Sequence, residues 1–210
     1  MGQFDFEFLR RHIDVTKYPC VVETGTLYGD SAQRISESFP NVHTIEIHPT
    51  LYANACKRFR GRTDVTCHYG DSAVVLQTLF SQLATPTVFY LDAHWSGDHT
   101  TNWSASNWKG YGIDTGYRVD GPVGDNPSSR NQVPLEEEIV SIVSQFPREC
   151  VIYIDDMDKF DASGNGMKNK GFDGENWSHL NVQSLLHQIG ERLDYTHFDT
   201  FQCVIGIKAV

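Results

Sequence analysis

The sequence lacks the features of several common functional classes. No apolar run approaches the roughly 20 residues of a membrane-spanning helix, and the N-terminus has no basic segment followed by an apolar one, so we predict no signal peptide. Basic residues are scarce: 17 Lys and Arg stand against 27 Asp and Glu, and the net charge is −10. This charge argues against a nucleic-acid partner, because non-specific binding depends on cations at the phosphates. We therefore expect a cytoplasmic protein without a membrane span.

Cysteine is also sparse, and its spacing fits no metal or redox motif. The sequence has five cysteines, an odd number, and no Cys-x-x-Cys pair. Cys20, Cys150 and Cys203 lie in or beside apolar, strand-like runs. The pattern predicts buried free thiols in a reducing, intracellular compartment, and it argues against a zinc site built from cysteines.

Short apolar runs alternate with segments of helical periodicity. We predict strands at 20–23, 42–47, 64–69, 86–91, 150–154, 195–200 and 201–208. Between and around them we predict helices at 3–14, 31–39, 52–59, 73–83, 134–146 and 182–192. Strands that alternate with helices form a parallel sheet covered on both faces. We therefore predict a single α/β domain over 1–210, a Rossmann-like sheet of seven mostly parallel strands with an antiparallel C-terminal strand.

Two long segments interrupt this alternation. Residues 96–133 and 157–177 are rich in Gly, Asn, Asp and other polar residues and have no sustained periodicity. Irregular segments of this length inside a domain are usually functional loops or disordered. The first one carries Trp103, Trp108 and Tyr111, and aromatic residues argue against pure disorder. We expect both segments to cover the site of an acceptor substrate.

A glycine-punctuated turn follows the first predicted strand. It reads Glu23-Thr24-Gly25-Thr26-Leu27-Tyr28-Gly29-Asp30-Ser31, and a strand–turn–helix junction of this type binds nucleotide-like ligands in open α/β sheets. Gly25 allows a sharp turn and a close approach of ligand, and we expect Asp30 or Ser31 to cap the next helix. The spacing differs from the Gly-x-Gly-x-x-Gly of dinucleotide binders, and no Gly-Lys-Ser/Thr follows.

Acidic residues follow the predicted strands one after another. They are Glu23, Glu46, Asp71, Asp92, Asp155 and Asp156. In a parallel sheet these positions share one edge, the edge at which ligands bind, although each acid alone is also compatible with helix capping. Glu46 is placed to accept ribose hydroxyls, Asp71-Ser72 to bond an adenine ring, and Glu23 or Asp30 to hold an ammonium group. Ser31 and the helix start can bind a carboxylate, and together these groups describe S-adenosylmethionine.

The same segments resemble the cofactor-binding segments of class I S-adenosylmethionine-dependent methyltransferases. Residues 22–32 resemble their cofactor loop, Thr44–Pro49 their second strand and Gly70–Ser72 their adenine loop. The likeness covers most of 20–156 and is closest to the small metal-dependent O-methyltransferases of the catechol type. It implies cofactor contacts from Glu23, Thr24, Gly25, Thr26, Gly29, Asp30, Ser31, Glu46, Ile47, His48, Gly70, Asp71, Ser72 and Asp92.

The resemblance also implies a divalent cation, Mg²⁺ or Mn²⁺. Residues 89–95 and 154–156 resemble the two segments that hold magnesium in that family, so the implied ligands are Asp92, Asp155 and Asp156. We expect His94, Asp92 and Asp155 to be the catalytic residues, with His94 as general base because the ordinary pKa of histidine lies near neutral, although His94 could also cap the turn or pack beside Trp95. The lysine base of the catechol enzymes has no counterpart, and the Asp-x-His spacing also resembles macrocin-type sugar O-methyltransferases.

The resulting hypothesis is O-methylation of a hydroxyl on a small molecule, sugar or glycan, with a deoxyhexose as the favoured acceptor. Two alternatives remain open. One is an oxidoreductase dependent on NAD or a nucleotide sugar, which the absence of Gly-x-Gly-x-x-Gly and of Tyr-x-x-x-Lys disfavours. The other is a cofactor-binding module without catalysis. The sequence leaves the oligomeric state open.

Overall fold

A computed structural model describes residues 4–94, 133–168 and 176–210. The predicted loop at 96–133 lies outside these residues except for Val133, and the loop at 157–177 lies outside them at 169–175. The described strands are β1 Cys20–Thr24, β2 Asn41–Glu46, β3 Val65–Tyr69, β4 Thr87–Leu91, β5 Cys150–Ile154, β6 Leu193–Phe198 and β7 Cys203–Ile207.

The seven strands form one sheet in the order β3-β2-β1-β4-β5-β7-β6. β1 to β5 pair in parallel. β7, the last strand in the chain, lies between β5 and β6 and is antiparallel to both. The predicted fold, a mostly parallel Rossmann-like sheet with an antiparallel C-terminal strand, is therefore confirmed.

Six α-helices cover the sheet in the described residues. They are α1 Phe6–His12, α2 Asp30–Ile35, α3 Pro49–Arg58, α4 Ser72–Leu79, α5 Leu135–Gln145 and α6 Val182–Ile189. Short 3-10 turns lie at Val15–Lys17, Met157–Lys159 and Gly190–Arg192. None of the helices in these ranges has the length and apolar character needed to cross a membrane.

The four central strands of the sheet, β1, β4, β5 and β7, are buried at every position. Alternate side chains enter two separate cores: Val22 packs in the core of α4, α5 and α6, while Val21 packs in the core of α1, α2 and α3. This alternation follows from the two-residue period of a strand. Helices therefore cover both faces, and the carboxyl edge of the parallel strands remains for a site.

Side chains cap most of these helices at their first turn. Asp71 accepts from the amide of Ala73 at the start of α4, and His48 accepts from the amides of Thr50 and Leu51 at the start of α3. Such caps satisfy amides that have no partner within the helix.

The predicted cap of α2 by Asp30 or Ser31 is wrong. Gly29 is the N-cap, in the left-handed conformation with φ +79°, and no side chain caps the helix. Asp30 is the first helical residue, and its carboxylate pairs with Arg58 at 2.6 Å. The turn thus enters the helix through a glycine, because the backbone needs a positive φ there.

All five cysteines are free thiols. Cys20, Cys150 and Cys203 are buried, as their apolar surroundings in the sequence predict, whereas Cys56 is exposed. Burial raises the pKa of Cys20 to about 11. The buried thiols therefore pack as small apolar groups, because thiols reluctant to ionise are poor nucleophiles.

Gly25 brings the turn after β1 against the end of β4. Its φ is +89°, and a Cβ at this position would lie 2.7 Å from the carbonyl oxygen of Asp92 and 3.2 Å from the Cα of Ala93. A Cβ–oxygen distance of 2.7 Å requires the backbone to move. The turn can approach β4 only because residue 25 has no side chain.

We predict that Gly25→Ala destabilises the protein much more than Gly61→Ala. Gly61 has a similar φ of +82°, but a Cβ there would meet no atom of the described residues within 4 Å, so it isolates the conformational cost. We expect about 1 kcal/mol for Gly61→Ala and about 2 kcal/mol more for Gly25→Ala, because the neighbouring backbone must shift. Urea unfolding measures both, and equal losses would contradict the close contact.

Candidate active site

The strand register aligns the ends of β1, β4 and β5. Thr24 pairs with Leu91, and Leu91 pairs with Ile154. The residues that follow are therefore neighbours: the amide of Asp92 donates to the Thr24 carbonyl at 3.3 Å and to its hydroxyl at 3.2 Å. The amide of Asp155 donates to the Leu91 carbonyl at 3.4 Å. Acids far apart in the sequence thus meet at one edge.

Asp92, His94 and Asp156 form one group at this edge. His94 Nδ1 lies 3.6 Å from Asp92 Oδ1, and His94 Nε2 lies 3.4 Å from Asp156 Oδ2. One potential ligand atom from each residue lies within 4.8 Å of the others. The side chains are 15–18% exposed, so the group is accessible but largely removed from water. Two carboxylates fit Mn²⁺ and related divalent ions, and an imidazole beside them can serve as a further ligand or as a base.

Asp155 contributes no ligand atom to this group. Its Oδ2 lies 3.1 Å from the hydroxyl of Tyr90, and its Oδ1 accepts from the amide of Asp156 at 2.9 Å. The Tyr90 hydroxyl also lies 3.1 Å from Oδ2 of Asp92. Because a phenol has one proton, it can donate to only one of the two carboxyl groups at a time. Tyr90 therefore links Asp155 to Asp92, which is a member of the group with His94 and Asp156.

A left-handed backbone separates the two adjacent acids. Asp156 has φ +61°, an uncommon conformation for a residue with a side chain. It directs Asp156 to His94, while Asp155 stays buried at 4% exposure. Residues in such conformations are concentrated at functional sites.

Burial and mutual repulsion raise the pKa values of these acids. Burial, together with the charges of Asp155, Asp156 and Glu23, raises the pKa of Asp92 well above its ordinary value. Burial and the charge of Asp156 raise the pKa of Asp155 to about 6. Both effects disfavour the ionised form. A bound cation would reverse them, because it is a large positive charge beside the carboxylates.

Glu23 lies at the end of β1 and is completely buried. Its Oε2 accepts from the hydroxyl of Thr44 at 2.6 Å, and that hydroxyl lies 2.6 Å from the hydroxyl of Thr26. Its Oε1 has no hydrogen-bond partner in the described part of the chain. Burial raises the pKa of Glu23 to about 7 against the lowering effect of the Ser31 and Thr44 hydroxyls. An unpartnered acceptor beside the glycine turn can receive a donor from a ligand.

Glu46, at the end of β2, fixes the backbone of the same turn. Its Oε2 accepts from the amide of Leu27 and its Oε1 from the amide of His48, both at 2.8 Å. Leu27 has φ +49°, so this carboxylate stabilises an unfavourable backbone conformation. Burial raises the pKa of Glu46 to about 7. Each carboxylate oxygen of Glu46 can accept one further hydrogen bond, for example from a ligand hydroxyl.

The remaining predicted cofactor residues lie around the ends of β2 and β3. Ile47 is 36% exposed, next to Glu46. Gly70 donates its amide to the Glu46 carbonyl at 3.0 Å, which ties the two strand ends together. Asp71 is exposed and caps α4, whereas Ser72 is buried. Two of the predicted residues have partners within the protein: Asp30 pairs with Arg58, and the His48 ring caps α3.

Glu138 on α5 is a site residue that the sequence reasoning misses. It is 1% exposed, and it lines a small cavity together with Asp92, His94, Asp155 and Trp177. The three glutamates at the start of this helix indicate a favourable interaction with its dipole, which does not single out Glu138. Glu136 accepts from the Gln188 side chain at 2.8 Å.

One sequence signal does identify Glu138. The buried residues Leu135, Ile139 and Ile142 form an apolar stripe along α5 with the spacing i, i+4, i+7. Position 138 is i+3, so Glu138 lies on this stripe. An acid on the buried face of a helix indicates a buried polar contact.

Comparison with known proteins identifies the fold. No protein-family model and no curated protein matches the sequence. A proposed S-adenosylmethionine-dependent methyltransferase from Listeria monocytogenes shares 9% identity over 98% of this chain and 97% of that chain, with a TM-score of 0.50. Human N-acetylserotonin methyltransferase in complex with S-adenosylmethionine shares 11% identity over 94% of this chain and 50% of that chain, with a TM-score of 0.50.

A third similar structure is the PH0226 protein from Pyrococcus horikoshii OT3. It shares 8% identity over 97% of this chain and 87% of that chain, with a TM-score of 0.51. At such identities the likeness concerns the fold, and the chain has the class I methyltransferase fold.

We predict that Glu23→Gln stabilises the protein more at pH 8 than at pH 5. The pKa of Glu23 is about 7 in the folded state against an ordinary value of 4.5. The folded state therefore holds the proton more tightly, and this contribution to stability is lost as the pH rises through 7. A neutral glutamine avoids the loss, which is on the order of 2 kcal/mol.

Urea unfolding at the two pH values measures this difference. Glu7→Gln is the matched control, because Glu7 is an exposed acid with an 80% exposed side chain. A Glu23→Gln effect that is the same at both pH values would contradict a buried, proton-binding Glu23.

Proposed function

We propose that the protein is an S-adenosylmethionine-dependent O-methyltransferase assisted by a divalent cation. The observation that carries the proposal is the arrangement of acids along the carboxyl edge of the sheet. Glu23 and Glu46 lie beside the glycine turn, while Asp92 and Asp156 face His94 at the ends of β4 and β5. The first pair suits a cofactor with hydroxyl and ammonium donors, and the second suits a cation.

The cofactor would extend along the ends of β1, β2 and β3. Glu46 accepts the ribose hydroxyls, and the exposed side of Ile47 packs against the adenine ring, which Asp71 and Ser72 bond at its edge. The amino-acid end lies near Glu23 and Ser31, and Gly25 leaves room for it at the turn. Thr24, Thr26, Gly29 and Gly70 shape this cradle through their backbone. The cofactor supplies the methyl group and its sulfonium leaving group, while the protein orients both reactants.

Asp92 and Asp156 would hold the cation, with His94 beside them. The fit rests on two carboxylates that lie within 3.6 Å of the same imidazole, and on the raised pKa of Asp92, which burial and the neighbouring acids cause. A bound divalent ion lowers the pKa of a coordinated hydroxyl and orients it. Asp155, the third ligand that the family resemblance implies, would act through Tyr90 by holding Asp92 in place. Groups behind metal ligands commonly tune affinity in this way.

His94 would take the proton of the acceptor hydroxyl. Its ring lies between the carboxylates of Asp92 and Asp156, so the imidazole would lie beside the hydroxyl that the cation orients. Trp177, whose ring centre lies 5.7 Å from that of His94, limits the positions of the imidazole. A base that faces the acceptor is needed because a protonated hydroxyl is a poor nucleophile.

The acceptor would be a hydroxyl of a small molecule, sugar or glycan. The Asp-x-His spacing at 92–94 resembles that of sugar O-methyltransferases and favours a sugar such as a deoxyhexose. Neutral sugars are compatible with an acidic protein, because they need no positive counter-charge at the surface. Methylation assays with a panel of sugar nucleotides and free deoxyhexoses would identify the class.

We predict that S-adenosylhomocysteine stabilises the protein against heat and that NAD does not. At a hundred times its Kd a ligand adds about 2.7 kcal/mol to the free energy of unfolding, which corresponds to a few degrees in Tm. Glu46→Ala should abolish the shift, because it removes the acceptor of the ribose hydroxyls. Glu7→Gln is the control and should keep it. Stabilisation by NAD alone would instead support an oxidoreductase.

We also predict that different substitutions impair cation binding and proton transfer. Asp156→Asn should weaken Mn²⁺ binding at least about tenfold, while His94→Gln should leave it within about threefold and lower methyl transfer about 100-fold. Calorimetry with Mn²⁺ and a methyl-transfer assay measure the two effects. Asp158→Asn, which removes a nearby carboxylate outside the group, should change neither.

Two outcomes would contradict these assignments. Loss of Mn²⁺ binding in His94→Gln would make the imidazole a metal ligand. Undiminished methyl transfer in the presence of EDTA, together with full activity of Asp156→Asn, would remove the cation from the reaction.

A further inference from the structure

Glu138 is buried on the face of α5 that packs on the sheet. Leu135, Ile139 and Ile142 share this face and are also buried. An acid in an apolar environment costs free energy unless polar groups surround it. Polar groups do lie near it, at the end of β1 and at the start of α4.

The partners of Glu138 are hydroxyl groups. The hydroxyls of Ser72 and Thr24 lie close enough to its carboxyl group to lower its pKa. The Thr24 hydroxyl also accepts from the amide of Asp92 at 3.2 Å, so its own proton is available for Glu138. Glu138 Oε1 has no hydrogen-bond partner within residues 4–94, 133–168 and 176–210. One carboxyl group therefore links the end of β1, the start of α4 and, through Thr24, the turn after β4.

We propose that Glu138 is a positioning residue for the adenosyl end of the cofactor, acting through Ser72 and Thr24. The inference rests on the proposed function, in which Ser72 belongs to the adenine loop and Thr24 to the cofactor turn. These two loops leave different strands, β3 and β1, which are not neighbours in the sheet. A side chain from α5 that approaches both restrains the distance between them, and this distance decides whether adenine and ribose fit together.

The charges around Glu138 favour its neutral form. Burial and the nearby acids Asp71 and Glu137 raise its pKa to about 8, against the lowering effect of the two hydroxyls. The other titratable groups that line its cavity are Asp92, Asp155 and His94. Glutamine therefore reproduces both the shape and the charge of this residue at neutral pH, whereas leucine keeps only its volume.

Calorimetric titration at pH 7 tests the proposal with S-adenosylhomocysteine and with 5′-methylthioadenosine. The second ligand keeps the adenosine end and lacks the amino-acid end. We expect Glu138→Leu to weaken both ligands by the same factor, about tenfold. Glu138→Gln should stay within about threefold of the unmodified protein, and the control Glu136→Gln on the same helix should leave both affinities unchanged.

A double-mutant cycle with Ser72→Ala distinguishes positioning from a general structural role. If Glu138 acts through Ser72, the losses in Glu138→Leu and Ser72→Ala are not additive. Should Glu138→Leu fail to fold, Glu138→Asp serves instead, because it keeps the acid but withdraws the carboxyl group by one methylene. We expect this variant also to lose about tenfold in affinity.

The outcomes separate this inference from the proposed function. If the unmodified protein binds neither ligand, the proposed cofactor is wrong. If it binds both and Glu138→Leu or Glu138→Asp binds them equally well, Glu138 has no positioning role. A loss confined to S-adenosylhomocysteine would place the effect at the amino-acid end and overturn the assignment, as would strictly additive losses with Ser72→Ala.

Discussion

Repulsion between buried carboxyl groups is the constraint on which the rest of the structure depends. Asp92, Asp155 and Asp156 lie together at the ends of β4 and β5, and burial combines with their charges to raise the pKa values of Asp92 and Asp155. Removing unpaired charges from water is costly. The fold nevertheless keeps these acids and surrounds them with polar groups. The Tyr90 hydroxyl lies between Asp92 and Asp155, and the His94 ring lies between Asp92 and Asp156. Such an arrangement is stable when protons or a cation compensate the charge.

The register of the sheet creates this proximity. Thr24, Leu91 and Ile154 lie at one level, so the residues after them emerge side by side. Gly25 then lets the turn after β1 approach Asp92 to a distance that no side chain would permit. The glycine turn after β1 and the candidate cation site are therefore parts of one packed unit. Glu138 belongs to the same unit from α5, because its carboxyl group lies near the hydroxyls of Thr24 and Ser72.

Much of the fold follows from local patterns in the sequence. The run at 150–154 is apolar and β-branched, and it forms β5 over those residues. The acids that follow each predicted strand meet at one edge because parallel strands share their direction, and this follows from topology alone. The position of a site is therefore readable from the sequence once the strands are placed.

The orientation of individual side chains is not readable in the same way. Asp155 and Asp156 are adjacent and chemically identical, and only the positive φ of Asp156 separates a buried acid from one that faces His94. Glu136 and Glu138 begin the same helix, and the rotation of α5 on the sheet decides which of them is buried. Both features depend on packing between distant segments. The predicted cap of α2 is wrong for a related reason, because the backbone conformation of Gly29 and the Asp30–Arg58 pair are set by the turn and by α3.

A crystal structure of the protein with S-adenosylhomocysteine and Mn²⁺ tests the account most directly. Diffraction data at the manganese absorption edge would locate the ion independently of the protein. We expect an anomalous peak within coordination distance of Asp92 and Asp156, and the ribose of the ligand within hydrogen-bond distance of Glu46. A ligand bound away from the carboxyl edge, or an ion that ignores these carboxylates in a crystal that contains Mn²⁺, would contradict it.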